Sequence, residues 1–217
     1  MITALPVEVG PPADDPPPGL ADDHPMRAIT RAIAFEPDGW TEARRAEVER
    51  LFDGLAPEWS SRDVAGREAP ILDAFARGVP AAPAGPRRLG LDVGAGDGLN
   101  ARHLAPFVET LVAVDLATEM LRAAPPSLRR LRADAARLPL ADRAVDVLVL
   151  ANCFLFPAEV DRVLASTGVL VWVNSRGTGT PIHLPADDVD RTLGGGWDGV
   201  ASAAGWGTWS VHWRRAA

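Results

Sequence analysis

The chain predicts an α/β fold: one doubly wound sheet of seven strands, mostly parallel with the last strand antiparallel, preceded by a helical cap. Three observations carry this expectation. Apolar, strand-like runs alternate with helical ones from Arg87 to Asn174, the pattern of a parallel sheet with right-handed crossovers. The first of these runs ends in a glycine-spaced loop, LDVGAGDG, Leu91 to Gly98. The run AVDVLVLANCF, Ala144 to Phe154, is almost unbroken apolar, as suits a central strand buried on both faces.

Taken in order, the chain begins with a tail. Met1 to Pro25 is rich in Pro and Asp and poor in large apolar residues. Such a segment buries too little surface to offset the entropy of ordering, so disorder is expected over 1–25. It lacks the basic start and apolar centre of a secretion signal, and Met26 directly after it is a candidate true start. A helical cap and linker are expected over 26–86. Thr41 is an N-cap, and Val48, Leu51, Phe52 and Leu55 then build one apolar face. Gly54 and Pro57 mark the end of that helix. A second helix is expected from Ala69 to Arg77, stopping at Gly78, with Ile71, Leu72 and Phe75 apolar. PAAPAGP, Pro80 to Pro86, links it to the core.

The core, 87–217, alternates. Strands are expected at Arg87 to Val93, Thr110 to Leu116, Leu128 to Ala133, Val145 to Ala151 and Val169 to Asn174. Helices are expected between them at Asp97 to Ala105, Thr118 to Ala124 and, briefly, Pro157 to Leu164. PADDVDRTL, Pro185 to Leu193, opens with Pro and acids, as a first helical turn should. Two antiparallel strands then turn around Gly205 to Gly207, with Trp209, Val211 and Trp213 on one face and Ser210 and His212 on the other. In such sheets ligands bind beyond the carboxyl ends of the strands, so the loops after the first four strands converge on one cleft.

The glycine loop carries the chemistry. Glycine tolerates positive φ and lets a ligand touch the backbone, and a helix starting there presents free N–H groups. A dinucleotide loop reads GxGxxG. Here Leu99 stands at the third glycine position and the glycine falls one residue early, at Gly98. Asp92 precedes the first glycine by two residues, Asp115 ends the second strand, and Asp134 ends the third. An acid in the place of Asp115 takes a ribose diol.

GxGxG with these three acids resembles the class I S-adenosylmethionine (SAM) methyltransferases over Arg88 to Asn174. FDGLAPEW, Phe52 to Trp59, is similar to the FDxxAxxYD segment of the broad ubiquinone/menaquinone C-methyltransferase-like group, with Trp59 where they have Tyr and Ser60 where they have Asp. RVLASTG, Arg162 to Gly168, stands where that group has RVLKPGG. The resemblance implies a Rossmann-like fold and SAM as cofactor. It implies cofactor contacts at Asp92, Gly94, Ala95, Gly96, Asp115, Leu116, Asp134, Ala135, Asn152 and Trp59. Asp134 would accept from the adenine amine and the Ala135 N–H would donate to a ring nitrogen. The N-terminal helices would cap the cleft, with Glu58 to Arg62 as a lid and Trp59 excluding water.

A general base is needed only where the methyl acceptor arrives protonated. His183, in the loop after the fifth strand, is the candidate catalytic base, against the commoner role of a solvated loop histidine. His103 reads as structural, His24 falls in the tail, and His212 falls on the last strand away from the cofactor end. Cys153 reads as a small buried residue, and no Cys/His cluster suggests a metal. Four of the seven Trp lie at the C-terminal end, as packing or as an aromatic pocket.

Composition bounds the function. The 217 residues suffice for one domain with a sizeable core. The net charge of −7 and the absence of a basic cluster argue against nucleic acid. No apolar run reaches the roughly 20 residues of a membrane span. A single cysteine excludes an internal disulfide, and a cytoplasmic location is expected. The expected activity is methyl transfer from SAM to a small-molecule acceptor at an undetermined O, N or C atom. A SAM-binding protein without methyl transfer and a nicotinamide-dependent oxidoreductase are the alternatives. The early Gly98 and the adenine-type Asp134 weigh against the nicotinamide reading.

Overall fold

The run expected at the centre of the sheet is there. All seven residues of Val145–Ala151 are buried. Leu148 and Leu150 face one side, with Leu155, Val160, Leu170, Trp172 and Val189. Val147, Val149 and Ala151 face the other, with Ile71, Phe75, Leu104, Val171 and Trp209. Successive side chains of a strand point to opposite faces, so an unbroken apolar run requires a layer on each side. The computed structural model describes residues 1–12 and 24–216.

Eight strands form one sheet. They are β1 (Ile2–Ala4), β2 (Leu89–Val93), β3 (Thr110–Asp115), β4 (Arg129–Arg132), β5 (Val145–Ala151), β6 (Leu164–Asn174), β7 (Trp197–Ala204) and β8 (Gly207–Arg214). Their order is β1-β7-β8-β6-β5-β2-β3-β4. All pairings are parallel except those of β8, which runs antiparallel to both β6 and β7. The chain leaves β2 towards β3 and β4 on one side and returns to β5 and β6 on the other. That reversal opens a crevice at the carboxyl ends of β2, β3 and β5.

The N-terminal helices divide in two. α1 (Pro25–Phe35) and α2 (Glu42–Leu55) lie at the carboxyl-end side, and a 3-10 turn, Ala56–Arg62, follows α2. Thr41 caps α2, its hydroxyl accepting from the Arg44 N–H at 3.2 Å. Ile33 and Val48 pack with Phe154 and Ile182, which follow β5 and β6. α3 (Ala69–Asp73), a π-helical turn Ala74–Gly78 and α4 (Val79–Ala81) pack instead on the sheet beside β8. The second expected helix is thus part of a sheet-covering layer and not of the cap. Its Leu72 is exposed, because only Ile71 and Phe75 turn inward. α5 (Ala101–Leu104), α6 (Thr118–Ala123), α7 (Pro157–Val163) and α8 (Ala186–Leu193) are the remaining helices of the core.

Three expectations are corrected. The segment 1–25 is not a wholly disordered tail. β1 adds to the sheet edge in register with β7, Ile2 opposite Gly199, and Val9 bridges Ala204. The Met1 ammonium donates to the Trp197 carbonyl at 2.8 Å and pairs with Asp198 at 3.3 Å. His24 caps α1, which begins at Pro25. Proline-rich composition hid a three-residue strand whose stability comes from its partner strand. The remainder of that expectation, 13–23, lies outside the described residues. The helix expected from Asp97 starts only at Ala101, because Gly98 sits at φ +78°, which no helix tolerates. β6 starts at Leu164, directly after α7, with a register shift against β5 between Val145 and Val147.

Removing residues 1–10 should therefore cost stability. It deletes the bonds Leu5 N–H to Ala201, Gly199 N–H to Met1 and Gly205 N–H to Val9, each worth about 1 kcal/mol net. Less the entropy of ordering the segment, a fall in Tm of roughly 2–6 °C is expected, with more aggregation from the uncovered β7 edge. Calorimetry and light scattering on the truncated chain check this, and an unchanged Tm would refute it.

Candidate functional site

The glycine loop is shaped from the end of β3. The Gly94 and Ala95 N–H groups donate to the Val114 carbonyl at 2.8 and 3.1 Å. The Gly96 N–H donates to Asp115 Oδ2 at 2.7 Å, and the Ala117 N–H to Asp115 Oδ1 at 2.8 Å. One buried carboxylate thus fixes the loop after β2 and the turn after β3 together. Gly94 and Gly96 sit at φ +71° and +59°, where a side chain is strained. A Cβ at Gly94 would also stand 2.5 Å from Cys153 Sγ, and one at Gly96 2.8 Å from Trp59 Nε1.

Above this loop is a cavity of about 400 Å³. Its floor includes Gly94, Ala95, Gly96, Asp115, Leu116, Asp134, Ala135 and Asn152, and its cover includes His24, Trp40, Phe52 and Trp59. Trp59 packs edge-on to Phe52, 5.7 Å between centroids, with the Arg62 guanidinium 4.4 Å from its ring. Trp40 packs between Phe154 and Phe156. Its indole N–H lies 3.1 Å from both oxygens of Asp134, whose Oδ1 also accepts from the Ala136 N–H at 2.9 Å. The adenine-type acid therefore meets a donor from the protein's own cap.

The structure gathers nine of the ten expected cofactor residues on one cavity. Asp92 is the tenth; it lies beneath the loop, fully buried. Asn152 has a different task from direct contact alone. At φ +53° it bonds Ser175 twice, Oδ1 accepting the Ser175 N–H at 2.8 Å and Nδ2 donating to Oγ at 3.0 Å. It thereby ties the end of β5 to the end of β6. His183, the expected base, is half-buried and is not among the cavity-lining residues. Burial and the nearby Arg27 hold its imidazole below the usual range. The loop turns its neighbour Ile182 to the cavity instead. His24, expected in the tail, does line the cavity, with Nδ1 accepting the Met26 N–H at 3.2 Å. The neutral ring then carries its proton on Nε2, which makes His24 a donor. The C-terminal tryptophans 197, 206, 209 and 213 do not line the cavity. Trp209 is core, its indole donating to Asp73 at 2.7 Å.

Trp40, Arg67 and Arg176 also line the cavity and were not foreseen; Arg62, the last residue of the expected lid, lines it as well. Trp40 stands just before the cap Thr41, and Arg67 and Arg176 fall in loops, where no periodicity marks them. A weak signal exists for Arg62, in the same short segment as Trp59.

Both oxygens of Asp92 are buried without a hydrogen-bond partner. Burial, and then the charge of Asp115, push its carboxyl up to about 7. An unfolded Asp titrates near about 4, so between about pH 4 and 7 the native state keeps a proton that the unfolded state has lost. This group's contribution to stability falls as pH rises through that window. His212, buried and held down to about 3 chiefly by its burial, acts in the opposite sense, its stabilisation being lost as pH falls below the imidazole range. That effect cancels when two chains with the same His212 are compared. The Tm of Asp92→Asn minus that of the wild type should therefore grow more positive from pH 5 to pH 8. A pH-independent difference by calorimetry would show that Asp92 is ionised throughout.

Comparisons with known proteins bear on the fold and on one segment of the chain. Residues 91–171 match a family model described as a methyltransferase domain. No curated protein matches the chain. The YcgJ protein from Bacillus subtilis is 25% identical over 48% of this chain and 49% of its own, with a TM-score of 0.41. The protein of a DhpI–SAH complex is 19% identical over 80% of this chain and 98% of its own, with a TM-score of 0.57. A structure described under the conversion of a disulfide bond into a thioacetal group during echinomycin biosynthesis is 18% identical over 77% and 93%, with a TM-score of 0.55. The chain spans about half the length of the first solved structures it matches. Among the described residues no helix is long and apolar enough to cross a membrane. The segment from residue 91 to residue 171 is thus similar to a methyltransferase domain.

Proposed function

We propose that this chain transfers a methyl group from SAM to a small-molecule acceptor held in the cavity over the glycine loop. The observation that carries the reading is the Asp115 clamp, which presents the loop backbone and a carboxylate to the same enclosed space. The residues present fit the cofactor. Each Asp115 oxygen uses one acceptor site on a backbone N–H and keeps a second for a ribose hydroxyl. Gly94 and Gly96 leave the loop without side chains on the cavity floor. Asp134 and Ala135 supply the acceptor and backbone donor that an adenine edge requires.

Bound there, SAM would supply an electrophilic methyl group on a sulfonium. The protein's part is to bind, orient and exclude water. Asp115 and the loop fix the ribose end, and Asp134 the base end. Trp59, seated on Gly96 and braced by Phe52, covers the loop. In-line displacement gains most from such alignment. The small-molecule class rests on the size of the cavity and on its cover of Trp, Phe and Met side chains.

Calorimetric titration tests the reading. S-adenosylhomocysteine should bind in the micromolar range, about −8 kcal/mol, and NADH far more weakly. Asp115→Ala should lose about ten- to hundredfold in S-adenosylhomocysteine affinity, the cost of removing a charged acceptor. Equal NADH binding, or an unchanged affinity in the folded variant, overturns it. Trp40 offers an independent check. Its N–H occupies both Asp134 oxygens, so an adenine amine must share or displace it. Trp40→Phe keeps the ring packing and removes the competing donor, and should bind S-adenosylhomocysteine as tightly or up to roughly tenfold more tightly. A tenfold loss would mean that the indole holds Asp134 in its binding orientation.

A further inference from the structure

The strand order divides the cavity. Most of the expected cofactor residues follow β2, β3 and β4, which lie on one side of β5. On its other side lies β6, whose following loop brings Thr180, Pro181 and Ile182 to the cavity. The start of α1 is seated over that second half. Arg27 Nη2 donates to the Thr178 carbonyl, and Met26 packs on the cluster that holds Phe154 and Ile182. Trp40 and Phe156 pack on the same cluster. The Trp40 ring lies 5.9 Å from Phe154, inclined at 50°, and 5.4 Å from Phe156, inclined at 72°. Met26, Trp40, Phe154, Phe156 and Ile182 all line the cavity. Into this apolar half the chain also brings an imidazole. His24 stands two residues before Met26 and lines the cavity. Its Nδ1 accepts the Met26 N–H at 3.2 Å, so the neutral ring offers an N–H at Nε2.

We infer that the methyl acceptor is an aromatic molecule seated between the start of α1 and the ends of β5 and β6, and that His24 donates its Nε2 proton to an oxygen the molecule carries. This deepens the methyl-transfer reading and rests on it. Aromatic rings prefer offset or edge-to-face contact, so a flat ring joins a cluster of inclined rings in the geometry the cluster already has. A pocket of this kind takes its affinity from apolar walls and its orientation from a few polar groups. An amine would also find ring faces, but at His24 it would meet a donor in place of an acceptor. The same tautomer separates His24 from base catalysis. While Nδ1 holds the Met26 N–H, Nε2 carries a proton and takes none, so His24 selects and orients the acceptor.

The test is calorimetric titration of the S-adenosylhomocysteine-saturated protein with three small probes. Acetophenone carries an aromatic ring and a carbonyl oxygen. Ethylbenzene has the ring without the oxygen, and cyclohexyl methyl ketone has the oxygen without the aromatic ring. Acetophenone should bind saturably, and about threefold or more tighter than either of the others. His24→Ser removes the imidazole donor and keeps a side-chain acceptor for the Met26 N–H, since Ser is a preferred N-cap. It should weaken acetophenone about three- to tenfold and leave ethylbenzene, which offers no acceptor, within about twofold. His24→Asp, a second N-cap without a donor, should show the same loss. A histidine that only caps α1 would move both probes alike, so an unchanged ratio of the two affinities overturns the role of His24. Equal binding of cyclohexyl methyl ketone overturns the aromatic class. No saturable binding of acetophenone, or binding that S-adenosylhomocysteine displaces, overturns the site. If S-adenosylhomocysteine fails to bind the wild type, the methyl-donor reading fails. The same probes on the protein alone then still read whether His24 and the rings hold an aromatic ligand.

Discussion

The site depends on one carboxylate, that of Asp115. It is nearly buried at the end of β3, where burial raises its pKa and the Ala117 and Gly96 N–H groups work against that rise. Because one oxygen holds the turn after β3 and the other the loop after β2, the two chain reversals at the switch point become a single rigid piece. The Val114 carbonyl, accepting from Gly94 and Ala95, completes it. Backbone groups held this way need no reorganisation when a ligand arrives. Asp92 beneath them has no such partner. A second buried acid beside Asp115 is tolerated because its carboxyl keeps a proton to higher pH.

The cover of the cavity is made from the part of the chain least regular in sequence. α1 is fixed to the core by Arg31 and Asp188, 2.6 Å apart, and by Ile33 packed on Phe154. The chain between α1 and α2 brings Trp40 down onto Asp134, and the turn after α2 brings Trp59 onto Gly96. Each end of the motif surface is thus touched by one indole from the cap. Aromatic rings exclude water over a wide area at little cost in side-chain entropy. The same indole N–H that satisfies Asp134 also makes access to that acid depend on movement of the cap.

The core was legible in the sequence because its signals are local and physical. Val145–Ala151 matches the expected strand residue for residue, and Asp115 and Asp134 fall at strand ends as their spacing implied. Thr41 and its helix were legible from capping and periodicity. What escaped depends on partners far away. β1 exists because β7 offers an edge, and nothing in Ile2–Ala4 alone announces it. Trp40 and the arginines acquire meaning only when loops distant in sequence meet. His183 failed for the complementary reason. The loop after β6 turns Thr180, Pro181 and Ile182 to the cavity and leaves His183 off it, which no pattern in the sequence marks.

The resulting cavity is electrically polarised. Asp115 and Asp134 line its floor, with Asp92 beneath, while Arg62, Arg67 and Arg176 line its wall. Charge interactions strengthen as water is excluded, and the cover of Trp40, Phe52 and Trp59 excludes it. On the proposed methyl-transfer reading, a cationic methyl donor would be drawn to the acidic floor. Its sulfonium would be repelled from the arginine wall, so the ends of the donor would be sorted before any specific contact forms. For a displacement that requires nucleophile, methyl carbon and leaving sulfur on one line, such sorting reduces the orientations left to search. A cavity of this kind can contribute to rate through binding geometry.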